Sequence, residues 1–372
     1  MNELLFPFRS CFSRQATFEW FIVLVVGFML RSDHLGVTSV IRDLSLNGRC
    51  YETLIHFFRS SAWSLESLRQ TWLQIVRRST PLLVVQGRFV LVGDGMKQAK
   101  EGRRMPGVKK LYQESENVSK GDYIFGHLFG AIGILVGDSR KWFCLPLFIN
   151  LQDGVKTILN WRKSASEGET PSHVVQMIEQ GFEAAKEFGQ ALLLLDRYFL
   201  SVPALEQLNA CHLASEARMH LVTKAKSNAV AYERPLAKKP GRGRPPKKGP
   251  AVKLKDLFTT RTTDFQTATL LLYGKEETVQ FLCLELLWGQ GLYQELRFVL
   301  VVHEGRFSIL VSTDLSLAAP DIIRLYGYRF KIESTFREMK QVTHAFGYRF
   351  WSKSMPKLNR FLKKEEAHPL EP

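Results

Sequence analysis

The stretch RFVLVGDGM, residues 88–96, is a short apolar run that ends on an acid between two glycines. Read as a strand, it carries Asp94 to the rim of a core, and Gly93 and Gly95 leave that rim open to a close-approaching phosphate or metal. Two further strands are expected downstream, in YIFGHLFGAIGILVG and KWFCLPLFINL, joined through a turn at Gly137 and Asp138. A helix follows, with Thr170 as cap, Pro171 in its first turn, and Val174, Ile178, Phe182 and Ala185 on one face. It leads into ALLLLDRYF, whose run Leu192 to Leu195 suits a strand covered on both faces. Asp196 ends that strand as Asp94 ends the first. After another short helix, MHLVTKAKS supplies a fifth strand.

Three strands, then helix, strand, helix and strand, is the order of an RNase H-like α/β domain. The pattern alone also fits other mixed α/β folds. Residues 1–80 read as helical. Within them TSVIRDLSL, the turn at Asn47 and Gly48, and RCYETLIHFFRS form two short amphipathic segments. Leu54, Ile55 and Phe58 face inward, and Arg49 and Arg59 outward. They suit either a helix-turn-helix that reads DNA or a plain helical hairpin. Past residue 250, four consecutive strand patterns make an all-β block set apart from what precedes it. Between the two lies KKPGRGRPPKKG, residues 238–249, a polar tract rich in Pro, Gly and cations. Its centre, RGRP, resembles an AT-hook, which would place Arg242 and Arg244 in the minor groove of A·T-rich DNA. A solvated basic linker meeting phosphates without sequence preference is the other reading.

Composition sets bounds on function. Lys and Arg number 51 against 36 Asp and Glu, a formal charge of +15, which favours polyanionic partners. The five cysteines are scattered and never at C-x-x-C spacing, so neither a disulfide framework nor a zinc site is expected, and a cytoplasmic setting fits. WFIVLVVGFML, residues 20–30, is too short to span a bilayer, which needs about 20 apolar residues. It reads as a buried helix, with a membrane anchor as the alternative. His127 reads as a core histidine and Trp288 as core, Asp122 and Asp138 as turn residues, and residues 102–116 as a basic loop.

The densest chemistry lies in DIIRLYGYRFKIESTFREMK, residues 321–340, read as one long helix from Pro320 to about Val342. At about 100° per residue, Tyr326, Arg329, Arg337 and Lys340 all fall within roughly 40° of Glu333. Leu325, Ile332, Phe336 and Met339 form an adjoining apolar stripe that can dock on a sheet. Alone, this is a solvated charged face with i,i+4 pairs. Joined to Asp94 and Asp196, it gives three hard-oxygen donors suited to Mg²⁺ or Mn²⁺ beside phosphate-binding cations.

Tyr326, Arg329, Glu333 and Lys340 have the spacing of the Y-R-E-K signature, so the chain resembles bacterial insertion-sequence transposases of the DDE type from about Arg88 to Lys340. The resemblance implies an RNase H-like core with flanking helices, a β-rich insertion before the catalytic helix, and Asp94, Asp196 and Glu333 as the metal-binding triad. It implies DNA contacts from Tyr326, Arg329 and Lys340, cleavage and joining of the element's terminal inverted repeats, and a homodimer on DNA. The divisions expected are 1–80 helical, 81–226 first part of the core, 227–318 hook-like loop and β-rich insertion, 319–345 catalytic helix, and 346–372 basic tail. Arg197 stands where relatives often have a small residue, and the chain ends soon after Lys340, where many carry a longer helical region. A truncated, non-catalytic DNA-binding relative is the alternative.

Overall fold

In a computed structural model, the described residues are 2–33, 36–100, 107–112, 122–138, 141–152, 172–236 and 245–348. Thr170, Pro171, Arg242, Arg244 and the tail from 349 onward lie outside them.

The first eighty residues form helices. Those of seven residues or more are α1 (Gln15–Leu30), α2 (Val37–Asp43), α3 (Cys50–Phe57) and α4 (Leu65–Ser79). They enclose their own core of Phe8, Phe12, Phe18, Leu24, Val40, Leu54 and Phe57. The apolar run of α1 is not buried all round: Phe18, Leu24 and Gly27 are covered, while Met29 and Leu30 are exposed. Gly27 is there because α2 crosses close by, and a Cβ would lie 2.4 Å from Val40 Cγ1. No helix among the described residues is long and apolar enough to cross a membrane. In α3 the inward positions are Leu54 and Phe57, and Phe58 is exposed, contrary to the expected spacing. Phe58 is the C-cap of this eight-residue helix, and its ring meets that of Phe57 edge-on.

All thirteen strands among the described residues share one sheet. They are β1 (Val84–Val85), β2 (Arg88–Ala99), β3 (Lys109–Tyr112), β4 (Tyr123–Gly137), β5 (Trp142–Leu151), β6 (Ala191–Leu194), β7 (Met219–Lys224), β8 (Val230–Tyr232), β9 (Ala251–Lys253), β10 (Gln266–Leu272), β11 (Lys275–Trp288), β12 (Gln294–His303) and β13 (Arg306–Ser312). Across its first part the order is β5-β4-β2-β6-β7, with β5, β4 and β2 antiparallel and β2, β6 and β7 parallel. The parallel pairs require crossovers. These are α5 (His173–Phe188), capped by the Ser172 hydroxyl accepting from Val175 N–H, and α6 (Val202–Ala214), capped likewise by Ser201. This mixed sheet with helices on its faces is an RNase H-like architecture.

Both faces of the central strands are covered. Leu193, with Met177, Ile178 and Phe182 of α5, lies in one core, while Leu192 and Leu194 lie in the other with Ile322 and Leu325. Leu192 to Leu195 are each fully buried, at roughly 1.5–3 kcal/mol per side chain. Pro146 sits on β5 where the pairing with β4 shifts register between Ile132 and Gly133, a place where a missing ladder donor is tolerated. Its carbonyl accepts from Trp72 Nε1 of α4 at 2.9 Å, docking the helical block on the sheet.

Two expectations change here. The β block is not set apart: β13 pairs with β7, through Leu310 opposite Lys224 to Ser312 opposite Val222, so it continues the core sheet. Strands also flank the polar tract on both sides. β8 and β9 form a small hairpin at the sheet's far edge, its base fastened by Lys248 Nζ 3.9 Å from the Tyr232 ring centre. Lys109–Tyr112, in the expected basic loop, is likewise a strand against β4.

A tight backbone approach within the sheet is at Gly126 on β4, where a Cβ would lie 2.2 Å from the Gln98 carbonyl oxygen of β2. That neighbour is backbone and cannot swing away. Gly126→Ala is therefore expected to lower stability by about 1–3 kcal/mol or more, seen as a fall in the urea midpoint. An unchanged midpoint would place the two strands further apart than this.

Candidate active site

Asp94 lies near the middle of β2, opposite Ala131 of β4, so it projects from the sheet face and does not end the strand. Successive residues alternate faces. Gly93 and Gly95 therefore point the other way, and their missing side chains do not open the site. A Cβ at Gly93 would meet Leu195 Cδ2 at 2.7 Å, and one at Gly95 would meet His173 Nε2 at 2.6 Å. The glycines let α5 pack down on the back of the strand that holds Asp94.

Asp196 follows β6 and caps a single 3₁₀ turn, Arg197–Phe199, its carboxylate accepting from Tyr198 N–H at 2.5 Å. Its own carbonyl accepts from the Thr223 hydroxyl at 2.8 Å, which ties the loop to β7. Arg197 and Tyr198 are exposed beside it.

The expected single helix is two. α7 (Ala319–Gly327) and α8 (Lys331–Gln341) are separated by Tyr328 to Phe330, where N–H groups bond carbonyls three residues back, as Arg329 N does to Tyr326 O. Gly327 weakens the helix at that point. The aromatics on either side of Arg329 hold different neighbours: Tyr328 packs on Trp142 and Phe330 on Tyr273. Tighter turns advance about 120° per residue instead of about 100°, so the four-residue face inferred from one continuous helix does not carry across the break. α8 is seated by Ile332 and Phe336, and by the Thr335 hydroxyl donating to the Cys144 carbonyl of β5 at 2.6 Å.

The break puts Arg329 in the middle of the acids. Its guanidinium approaches Asp94 Oδ2 at 3.5 Å through Nη1 and donates to Glu333 Oε1 through Nη2. Arg329 and Asp94 are about four-fifths buried, and the Glu333 side chain is 56% exposed. Burial pushes the Asp94 carboxyl up to about 6. Arg329 and the Gly95 N–H act against that rise, while the charges of Asp196 and Glu333 add to it. Burial also opposes the Arg329 cation, but Glu333 and Asp94 more than offset this and raise its pKa. Tyr326, at the end of α7, feels both Arg329 and Asp196, and burial pushes its phenol up to about 12. Lys340 is half-buried and its pKa is lowered by that burial; Arg337 is exposed on α8. The structure thus gathers Asp94, Asp196, Tyr326, Arg329 and Glu333 at one face of the sheet.

His173 was not singled out by sequence. As the first residue of α5 it lies under Gly95, its Nδ1 buried without a hydrogen bond. Burial, then the charges of Lys109 and Lys97, push its pKa down to about 4, so it is neutral at pH 7. No local pattern marks a histidine whose partner is a glycine on a distant strand. The trio of ligand atoms that lie within 4.8 Å of one another among the described residues is elsewhere, at Glu277, His303 and Glu304. The carboxylates around Arg329 stand further apart.

A family model described as DDE superfamily endonuclease matches residues 7–279. The chain belongs to that family. The match includes Asp94 and Asp196 and ends before Glu333. No curated protein matches. Among solved structures, the NurA nuclease from Sulfolobus solfataricus aligns over 78% of this chain and 92% of that one, at 12% identity and a TM-score of 0.29. At that score the superposition carries no argument.

Proposed function

We propose that the chain is a transposase of the DDE type, which cleaves and joins the ends of an insertion element through Asp94, Asp196 and Glu333. The observation that carries this reading is the charge pattern around Asp94: two further carboxylates act on it, and one arginine bridges it to Glu333. Carboxylates whose charges act on one another around a buried Asp94 favour a cation between them, and Arg329 offsets only part of their charge.

The donor set fits a divalent metal. Carboxylate oxygens from three separate elements are hard ligands of the kind Mg²⁺ or Mn²⁺ take. Asp94, Asp196 and Glu333 would hold the ions, which when bound supply Lewis acidity toward phosphate oxygens and lower the pKa of water. Asp94, raised to about 6, is mostly ionised at pH 7 and available as a ligand. Arg329 can exchange its carboxylate partners for a phosphate in bidentate fashion. Tyr326 keeps its proton at neutral pH and so serves as a hydrogen-bond donor to a phosphate oxygen, not as a nucleophile. Lys340 and the exposed Arg337 would meet the DNA backbone further along α8, and Arg242 and Arg244 would be further DNA contacts.

The test is metal-dependent cleavage and joining of a DNA duplex carrying the element's ends. Glu333→Gln should abolish both while DNA affinity changes by less than about threefold, because a carboxylate neutralises no phosphate. Undiminished cutting by this variant would remove Glu333 from the site. DNA binding without cutting by the unaltered chain would favour a non-catalytic DNA-binding protein.

A further inference from the structure

The segment that follows α8, residues 343–348, does not leave the molecule. It turns back: Ala345 N–H donates to Met339 O at 2.8 Å, and His344 and Phe346 take left-handed backbone angles, φ 50° and 67°. Left-handed conformations cost non-glycine residues about 1–2 kcal/mol each, so surrounding contacts must hold the turn. Two cations from distant parts of the chain do so through backbone carbonyls. Arg31, just past α1, donates through Nη2 to Thr343 O at 2.8 Å and His344 O at 2.7 Å, its guanidinium stacked 5.0 Å from the Phe28 ring centre. Lys100, just past β2, donates through Nζ to Phe346 O and Tyr348 O, both at 2.6 Å. Lys100 is only 7% exposed. Phe346 packs against Phe129, and the Tyr348 hydroxyl meets His127 Nδ1 at 2.6 Å. His127 is therefore a satisfied core histidine whose partner comes from beyond α8.

Lys100 is six residues after Asp94, on the same face of the strand by the period of two. Glu333 is ten residues before Thr343. The carbonyls that Arg31 and Lys100 hold thus belong to the chain that fixes the far end of α8, and the ammonium of Lys100 is fixed to the strand of Asp94. We propose that Arg31 and Lys100 form a two-cation clasp that sets the position of α8, and so of Glu333, relative to Asp94. Both are positioning residues and touch no substrate. The clasp also ties the N-terminal helical block to the site, because a shift of α1 is passed through Arg31 to the end of α8. The inference rests on the reading of Glu333 and Asp94 as ligands only for its catalytic consequence; the clasp itself is a statement about α8.

The experiment is amide hydrogen exchange on the full chain, with Mg²⁺ titration alongside. Lys100→Met keeps the aliphatic stem and removes the donor. It should speed exchange of the Lys331–Gln341 amides by at least about tenfold while the β2–β4 amides keep their protection, and weaken Mg²⁺ binding about 10–100-fold, as loss of a supporting contact does. Lys100→Arg should restore most of both. Arg31→Gln removes the other half from a less buried place and should reproduce the pattern if the lysine variant fails to fold. Unchanged α8 exchange in Arg31→Gln and in a folded Lys100→Met would overturn the clasp. Faster α8 exchange in a chain that binds no Mg²⁺ would uphold the clasp and sink the metal reading instead.

Discussion

Asp94→Asn is expected to lose metal-dependent DNA cleavage and, at the same time, to raise the stability of the fold at pH 7. A metal ligand that stabilises transition-state charge contributes several kcal/mol, so the rate should fall by about 10³-fold or more. The stability gain has a separate cause. The carboxyl rises from the ordinary 3.8 to about 6 in the folded chain, chiefly through burial. A raised acid favours the folded state below the unfolded pKa, and that advantage is lost as pH rises through the folded pKa. At pH 7 the ionised Asp94 therefore works against folding. Each tenfold change in proton affinity corresponds to about 1.4 kcal/mol; reduced for the partial exposure of Asp94, this means that a neutral amide should add about 1–3 kcal/mol. The difference in Tm between the two chains should shrink between pH 6 and pH 4. A variant less stable than the parent at pH 7 would show that Asp94 gains more from Arg329 than burial takes away.

Arg329→Gln should displace the acid limb of the cleavage profile. On the proposed metal reading Asp94 must be ionised to hold a cation, so activity should fall as pH drops through about 6, roughly tenfold for each further step of one in pH. Arg329 is the cation that opposes the rise, from 3.5 Å away. Removing a charge at that distance moves a carboxyl pKa by about 1–3, so the limb should move to higher pH by at least about 1. Rate at pH 7 would then fall about twofold for a shift of 1 and about tenfold for a shift of 2, beyond whatever is lost in phosphate contact. An unmoved limb would place the guanidinium away from Asp94 in solution. Measuring both variants against pH separates the group that titrates from the group that tunes it.

Much of this was legible in the chain. The run Leu192–Leu195 is buried on both faces because four consecutive apolar residues cannot share one side of a strand, and it marked the centre of the sheet without further information. The element order from β2 to β7 pointed to the same architecture. Asp94, Asp196, Arg329, Tyr326 and Glu333 could be named because acids beside buried strands and a regular cation spacing are local patterns. What failed were the statements that needed geometry between elements. Gly93 and Gly95 looked like an open approach to Asp94, but the alternation of the strand turns them toward Leu195 and His173. The long helix looked continuous because its spacing holds to Gly327 and resumes at Lys331. The aromatic contacts of Tyr328 and Phe330 interrupt it.

The sequence by itself determined the main strands of the core, which of them are buried, and which acids they carry, because burial and periodicity are properties of neighbouring residues. The tertiary structure alone decided that the β block extends the core sheet, that Arg329 also reaches Asp94, and that Arg31 and Lys100 close on the chain beyond α8. Each of these joins residues far apart along the chain. Such contacts are set by how whole elements pack, and no local pattern records them.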